Sequence, residues 1–342
     1  MDFQDPLKFN SGTYDVITIG EVVVDFISRE YKVENNARRM KDIQAFSRHF
    51  GGAAGNIAVN LMALGFFPGL ISSLGQDFLG DYLMDFLLQK GISLKGISRT
   101  AEEYTSIVFV LKSRENPSFL ALRGSDKNLR VTKAQEEIIN RGKILHFTAW
   151  SLSHEPTRSS TLALIKKAED KGLRISMDPN YREELWDNKE EGRRMIKEML
   201  ARVDFVKPSL EDARNLFLED PLKSLSPREY LDKFLDLGAK VVILTMGAEG
   251  LIAGNGKEEK KQPGRRNPVV DTTGAGDAFW AGMYASLLKG HSLETALEHG
   301  SQIAAFKLGY IGGIAPLPRF EQIIKKEGKE DANRYYESSR EF

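Results

Sequence analysis

Asp271-Thr272-Thr273-Gly274-Ala275-Gly276-Asp277-Ala278-Phe279 is the stretch on which the reading of this chain turns. Pro263, Gly264 and Pro268 stand before it and interrupt regular structure. After it, Ala278 to Leu288 is apolar on every side, with Phe279, Trp280, Met283, Tyr284 and Leu287 spread around the turn. A helix of that composition is buried. A small-residue turn therefore opens a core helix, and Asp277 lies in its first turn. The first N–H groups of a helix lack partners within it and carry the positive end of its dipole. Gly274 and Gly276 have no side chains to keep an anion away from those groups. The turn is not a Walker A loop, because an aspartate stands where that loop has lysine and a hydroxyl residue. A carboxylate repels phosphate, so Asp277 should face a hydroxyl. Gly274, Ala275 and Gly276 then read as an anion hole for a transferring phosphoryl group, with Asp277 as the base for the acceptor's proton. The conformational alternative is a glycine turn beside an acid that the dipole favours.

The bulk composition narrows the setting. The 342 residues suffice for one large α/β domain or two smaller ones, and 41% hydrophobic content allows a sizeable core. Lys plus Arg and Asp plus Glu both number 48, so the formal net charge is zero and neither nucleic acid nor a membrane surface is expected as partner. The absence of cysteine removes disulfides, thiolate metal sites and cysteine nucleophiles together. The five histidines show no metal-binding spacing. Met1 to Gly12 is polar, and no run approaches the roughly 18 apolar residues of a membrane span, so a cytoplasmic protein is expected.

From Val16 onward, strand and helix patterns alternate. Val16–Gly20, Gly69–Leu74, Lys143–Phe147, Leu173–Met177, Val203–Val206 and Val241–Leu244 read as short buried strands. Helices of ordinary length lie between them, for instance Pro156–Gly172 with proline in its first turn. This pattern predicts an α/β fold: a doubly wound, mostly parallel sheet with helices on both faces. Ligands in such folds sit outside the carboxyl ends of the strands. Four polar loops fall there: Asp178, Asn180 and Arg182; Lys207, Ser209, Glu211 and Asp212; Thr245, Gly247 and Gly250; and the Asp271 loop. Thr105–Leu111 and Phe119–Leu122 flank the polar turn Arg114–Pro117 and predict a hairpin, with Thr105–Leu111 offering a free edge. Asp77 should cap a helix, as should Ser209 with Asp212 three residues on. Lys257–Lys261 reads as a solvated hairpin tip. Asp25 lies in the apolar run Val22–Ile27, so it either ends a strand at the surface or is held at a site.

The nine-residue string resembles the signature of the PfkB, or ribokinase-like, family of carbohydrate and nucleoside kinases. Gly51, Gly52, Asn56 and Ala58 resemble that family's Gly-Gly-x-x-x-Asn-x-Ala, and Thr245, Gly247 and Gly250 its Thr-x-Gly-x-x-Gly. Asp178, Asn180, Arg182, Leu185 and Trp186 resemble a segment of the fructokinase and ketodeoxygluconate kinase branch. The resemblance implies one kinase domain over 1–342, with lid segments at about 25–44 and 99–127 forming a small β-sheet. It implies sugar binding by Asp25, Gly51, Gly52, Asn56, Arg123 and Asp277. It implies ATP binding by Asn180, Arg182, Lys207, Thr245, Gly247, Gly250, Gly274, Gly276 and Ser301. Magnesium would be served through water by Glu211 or Asp212, since the family's Asn-x-x-Glu appears here as Ser209-Leu210-Glu211-Asp212. A monovalent cation, potassium, beside Asp271 and a homodimer formed through the lid are further implications.

The expectation is an ATP-dependent sugar kinase most like fructokinase, converting D-fructose to fructose 6-phosphate. Ala121 and Leu122 stand where the ketodeoxygluconate branch tends to have tyrosine, which tilts against an acidic sugar; ribose or a nucleoside ranks lower. The alternative of another class is a catalytically silent regulator that binds sugar or nucleotide. It predicts damage to Asp277 or to the glycines, and there is none.

Overall fold

The computed structural model describes residues 1–29, 43–111, 118–218, 225–265 and 268–325. Most of the first lid segment, the Arg114–Pro117 turn and the charged tail after Lys325 lie outside them. The strands are β1 (Tyr14–Ile19), β2 (Val23–Ser28), β3 (Phe46–Gly51), β4 (Pro68–Gly75), β5 (Ile97–Thr100), β6 (Ile107–Leu111), β7 (Ser118–Leu122), β8 (Gly142–Thr148), β9 (Arg174–Asp178), β10 (Phe205–Val206), β11 (Val241–Thr245), β12 (Leu251–Gly254) and β13 (Glu259–Gln262). Among the described residues no helix is long and apolar enough to cross a membrane.

Nine strands form one sheet in the order β13-β12-β11-β10-β9-β8-β1-β4-β5, parallel except at the antiparallel β11–β12–β13 end. Its strands are apolar on both faces because both faces are covered. Ile17 of β1, Leu145 of β8, Val206 of β10 and Val242 of β11 pack into one core with the helices Thr157–Asp170, Lys189–Leu200 and Pro227–Asp236. Their immediate neighbours Val16, Ile144, Phe205 and Val241 pack into a second core with the helices Ala53–Leu64, Ala275–Leu288 and Leu293–Lys307. The one-residue alternation is the two-residue period of a strand read against two apolar layers.

The Ala275–Leu288 helix is buried from Ala278 through Leu287, as its all-round apolar sequence predicts. The Ala53–Leu64 helix stops where Gly65 turns left-handed at φ 100°. Asp77 caps the Phe78–Gln89 helix by accepting from the N–H groups of Leu79 and Gly80. Ser209 and Asp212 form the expected reciprocal box at the start of Leu210–Phe217.

A second sheet of four strands, ordered β3-β2-β6-β7, stands as the lid. β6 and β7 form the expected antiparallel hairpin, and β2 joins β6 in parallel. The Thr105–Leu111 stretch is therefore not an edge: β6 has neighbours on both sides, and the edges are β3 and β7. A second expectation also shifts. Glu259–Gln262 continues the charged run into the edge strand β13, so only the turn from Asn255 to Glu258 is a hairpin tip.

Close approach of the Ala275–Leu288 and Leu293–Lys307 helices depends on Gly282. A Cβ there would lie 2.6 Å from Ile303 Cγ1 and 2.8 Å from Ile303 Cβ. Gly282→Val should cost about 1–3 kcal/mol through overpacking. Urea unfolding should show a lowered midpoint at unchanged slope; an unmoved midpoint would mean that this helix pair has slack.

Candidate active site

The loops after β9, β10 and β11 and the turn at Gly274 meet at one end of the large sheet, beneath the lid. Gly274 takes φ 73°, and a Cβ on it would come within 2.5 Å of the Gly313 carbonyl oxygen. Only glycine fits a left-handed turn pressed so closely against another backbone segment. That turn makes Gly274 the N-cap of the Ala275–Leu288 helix with no side chain capping it, while the Ala275 N–H donates back to the Thr272 carbonyl at 3.2 Å.

Asp277, in that first turn, is tied to the Gly51-Gly52 motif by one bond: Asn56 Nδ2 donates to Asp277 Oδ2 at 2.8 Å. The same helix start binds Glu21, whose Oε1 accepts from the Ala53 N–H at 3.0 Å and whose Oε2 accepts from Thr148 Oγ1. Asn56 Oδ1 is buried and has no hydrogen-bond partner among the described residues. Gly52 sits at φ 93°, and a Cβ there would lie 2.4 Å from the Glu21 carbonyl oxygen. Gly51 leaves room for Asp25, since a Cβ on it would fall 2.2 Å from Asp25 Oδ2. Asp25 itself lies mid-strand in β2, opposite His49 of β3, and is buried. Of the two readings of this residue, the strand-end one is therefore excluded.

On the other side of the turn, Lys207 Nζ pairs with Asp178 Oδ2 at 2.8 Å, and a Cβ on Gly276 would stand 3.2 Å from that ammonium. Asp178 is a hub: it also accepts from Trp280 Nε1 at 2.9 Å and from the Asn180 N–H at 3.2 Å. Asn180 holds φ 34°, unusual outside glycine, a kind of strain that collects at functional loops. Arg182 donates to Glu211 Oε1 at 3.1 Å, and its guanidinium lies 5.2 Å from the ring of Phe119 in the lid. Both oxygens of Asp212 are engaged. Oδ1 accepts from the Tyr181 N–H at 2.6 Å, and Oδ2 accepts from the N–H and Oγ of Ser209.

Further along the rim, Thr245 bonds Pro208, Gly247 has open space where a Cβ would go, and Gly250 is hemmed in by Gln262. Ser301 donates to Gln262 Oε1 at 3.3 Å. Arg123 is buried and paired with Asp126, with further bonds to Ser153 and the Trp150 carbonyl, and it lies 4.6 Å from the Trp150 ring. It forms a fixed wall.

Three buried acids stand at this end of the sheet, and burial dominates their titration. It raises Asp277 to about 6, with Asn56 and the lysines Lys207 and Lys307 opposing and Asp178 adding to the rise. Burial likewise lifts Asp25 to about 7, helped by Asp277, Asp271 and Glu21, and lifts Glu21 to about 7. The helix dipole alone predicts a weakened base at Asp277; burial reverses that expectation. Lys307, lowered to about 8 by its own burial, lies on the far side of the turn. Glu21, Trp280 and Lys307 were not legible as site residues in the sequence. Each sits in an otherwise apolar run, and a charged residue in such a run is the only signal that two of them gave.

Comparison with known proteins identifies the family. The model for pfkB family carbohydrate kinases matches residues 14–319. A protein of Thermoanaerobacterium thermosaccharolyticum named ATP-dependent 6-phosphofructokinase is 38% identical, over 94% of this chain and 96% of its own length. The solved structure of Halothermothrix orenii fructokinase is 38% identical with TM-score 0.74, covering 86% of this chain and 99% of that one. An uncharacterized sugar kinase of Pyrococcus horikoshii, solved in complex with ATP, is 28% identical with TM-score 0.76, covering 91% of this chain and 98% of that one.

The raised Asp25 carries a stability consequence. An unfolded aspartate titrates near 3.9, so the folded chain holds this proton more tightly. Its contribution favours folding fully below that value and is lost as pH rises through about 7. Asp25→Asn should therefore raise the thermal midpoint at pH 8 by several degrees and raise it less at pH 5. A midpoint that falls at pH 8 would mean that the carboxylate is stabilised where it stands.

Proposed function

The chain belongs to the pfkB family of carbohydrate kinases, and from that premise we propose that it moves the γ-phosphoryl group of ATP to D-fructose, giving fructose 6-phosphate. It is a kinase of sugars and uses ATP, as its family does. The observation that carries the finer reading is the Asn56–Asp277 bond, which joins the glycine motif of the sugar side to the anion hole of the phosphate side.

Asn56 holds Oδ2 of Asp277, so Oδ1 is the oxygen left to receive a proton. The attacking sugar hydroxyl gives that proton to Asp277 as its oxygen bonds the γ-phosphorus and the bond to the β-phosphate oxygen breaks. The N–H groups of Gly274, Ala275 and Gly276 take up charge on the transferred group, and Lys207, fixed by Asp178, adds positive charge beside Gly276. Asn56 Oδ1, buried and unpartnered, is suited to accept from a second sugar hydroxyl. Asp25, Gly51 and Gly52 complete the sugar's floor, and Arg123 closes its far side. Lid closure excludes water as a competing acceptor.

ATP would lie along the rim past Asn180, Arg182, Thr245, Gly247, Gly250 and Ser301. Magnesium bound with it neutralises charge on the phosphate oxygens. Glu211, exposed and bonded among the described residues to Arg182, fits a hold on that ion through water better than the fully engaged Asp212 does. The exposed apolar side chains of Phe119, Leu120 and Leu122 on the edge strand β7 support a homodimer through the lid. Use of ATP and a phosphorylated product fit work in the cytoplasm.

Asp277→Asn should lower kcat by roughly a hundredfold or more, the usual worth of a positioned base, while ATP still binds. In the native enzyme kcat/KM should fall as pH drops through about 6, where Asp277 takes up its proton. A near-normal rate in the variant would remove Asp277 from the role of base.

One observation favours a second acceptor. A relative of 38% identity is named for fructose 6-phosphate as substrate, and the likeness runs the length of both chains. ADP release should be followed with D-fructose, fructose 6-phosphate, 2-keto-3-deoxygluconate, ribose and adenosine. The highest kcat/KM with fructose is the expected result. A higher value with fructose 6-phosphate transfers the proposal to that sugar, and inertness with all of them alongside intact ATP binding points to a silent regulator.

A further inference from the structure

The Leu293–Lys307 helix ends in a lysine with no exposed surface. Lys307 is 0% exposed, and its Nζ donates to the backbone carbonyl of Asp271 at 2.9 Å. An ammonium is seldom buried without a carboxylate against it, because desolvation opposes it. This one ends instead on a backbone oxygen of the loop that leads into the anion hole.

That loop is held from several directions, and Lys307 is the charged one. The Asp271 N–H bonds the Leu308 carbonyl, one residue past the lysine. Asp271 Oδ1 accepts from the N–H and Oγ1 of Thr273, and Oδ2 accepts from the Gly312 N–H at 2.7 Å. Gly313, the next residue, is what presses on Gly274. The end of the Leu293–Lys307 helix, the Asp271 loop and the anion-hole turn are thus one hydrogen-bonded body. The Asp271 and Asp277 carboxylates both lie close enough to Lys307 to favour its charged form, and left uncompensated they would repel both each other and the phosphates.

We propose that the Lys307 ammonium is the resident cation of this loop, standing where a monovalent metal ion beside Asp271 would otherwise be required, so that phosphoryl transfer is independent of potassium. The residues present do not fit potassium as well. An ion on the Asp271 carbonyl would share an oxygen already 2.9 Å from a fixed ammonium, and like charges at such range in a buried site repel strongly. Lys307 is a positioning residue: it acts through the Asp271 loop on the anion hole and touches no reacting atom. The inference rests on the kinase reading of Asp277, and it is separable from it by experiment.

The test compares potassium chloride with tetramethylammonium chloride at equal ionic strength, reading both the thermal midpoint and ADP release. For the native chain we expect no difference between the salts in either reading. Lys307→Met keeps the apolar stem and removes the charge; its kcat should fall roughly tenfold or more, as when a preorganised electrostatic group is lost. Lys307→Ala leaves space, and potassium but not tetramethylammonium should restore both its midpoint and its rate, saturably. A native enzyme that is saturably activated and stabilised by potassium overturns the proposal, whether or not the variants fold. So does a Lys307→Met enzyme with normal kcat. A native chain inert with every sugar yet indifferent to potassium in its midpoint would sink the kinase reading alone and leave the cation reading standing.

Discussion

The bond from Asn56 to Asp277 is where the two halves of the molecule are fastened. Asn56 belongs to the helix that leaves the lid strand β3 through Gly51 and Gly52, and Asp277 to the helix that leaves the anion hole. Both helices pack on the same face of the large sheet, in one core. A hydrogen bond to a charged group holds strongly when it is shielded from water. It also engages one oxygen of the Asp277 carboxylate, the one that the proposed reaction does not use.

Around that bond, desolvation and catalysis pull in opposite directions. Asp25, Glu21 and Asp277 are all buried; Asp277 raises the proton affinity of Asp25 and of Glu21, and Glu21 adds to that of Asp25. A chain selected for stability alone would not gather them there. Lys207 and Lys307 offset part of the repulsion from opposite sides of the Gly274 turn, one against Asp178 and one against the Asp271 carbonyl. The Asp277 carboxylate that results has its proton affinity raised toward neutrality, above that of an ordinary exposed aspartate, which is what the proposed role as base asks for.

Several side chains serve structure and site together. Asp212 closes the capping box of one helix and also fastens the Tyr181 N–H in the Asp178 loop, so it ties the loops after β9 and β10 together. Arg182 bridges Glu211 on the rim and Phe119 in the lid. Arg123 is held by Asp126, Ser153 and Trp150 before any ligand arrives, and it contributes a rigid surface to the cleft.

The sequence by itself determined the alternation of buried strands with helices, the all-round burial of Ala278–Leu287, the caps at Asp77 and Ser209, and the set of rim loops. These follow from period, composition and local hydrogen bonding, which act over a few residues and are written in the order of the chain. What only the tertiary structure decided depends on partners far apart along it. β6 became an interior lid strand because β2 took its free side, more than eighty residues upstream in register. Asp277 holds its proton more tightly than its helix dipole suggests, because burial, with Asp178 nearby, outweighs the dipole. Lys307 reads in sequence only as a charged residue in an apolar run; it is the folding of Asp271 onto it, across 36 residues, that sets its ammonium on a backbone carbonyl.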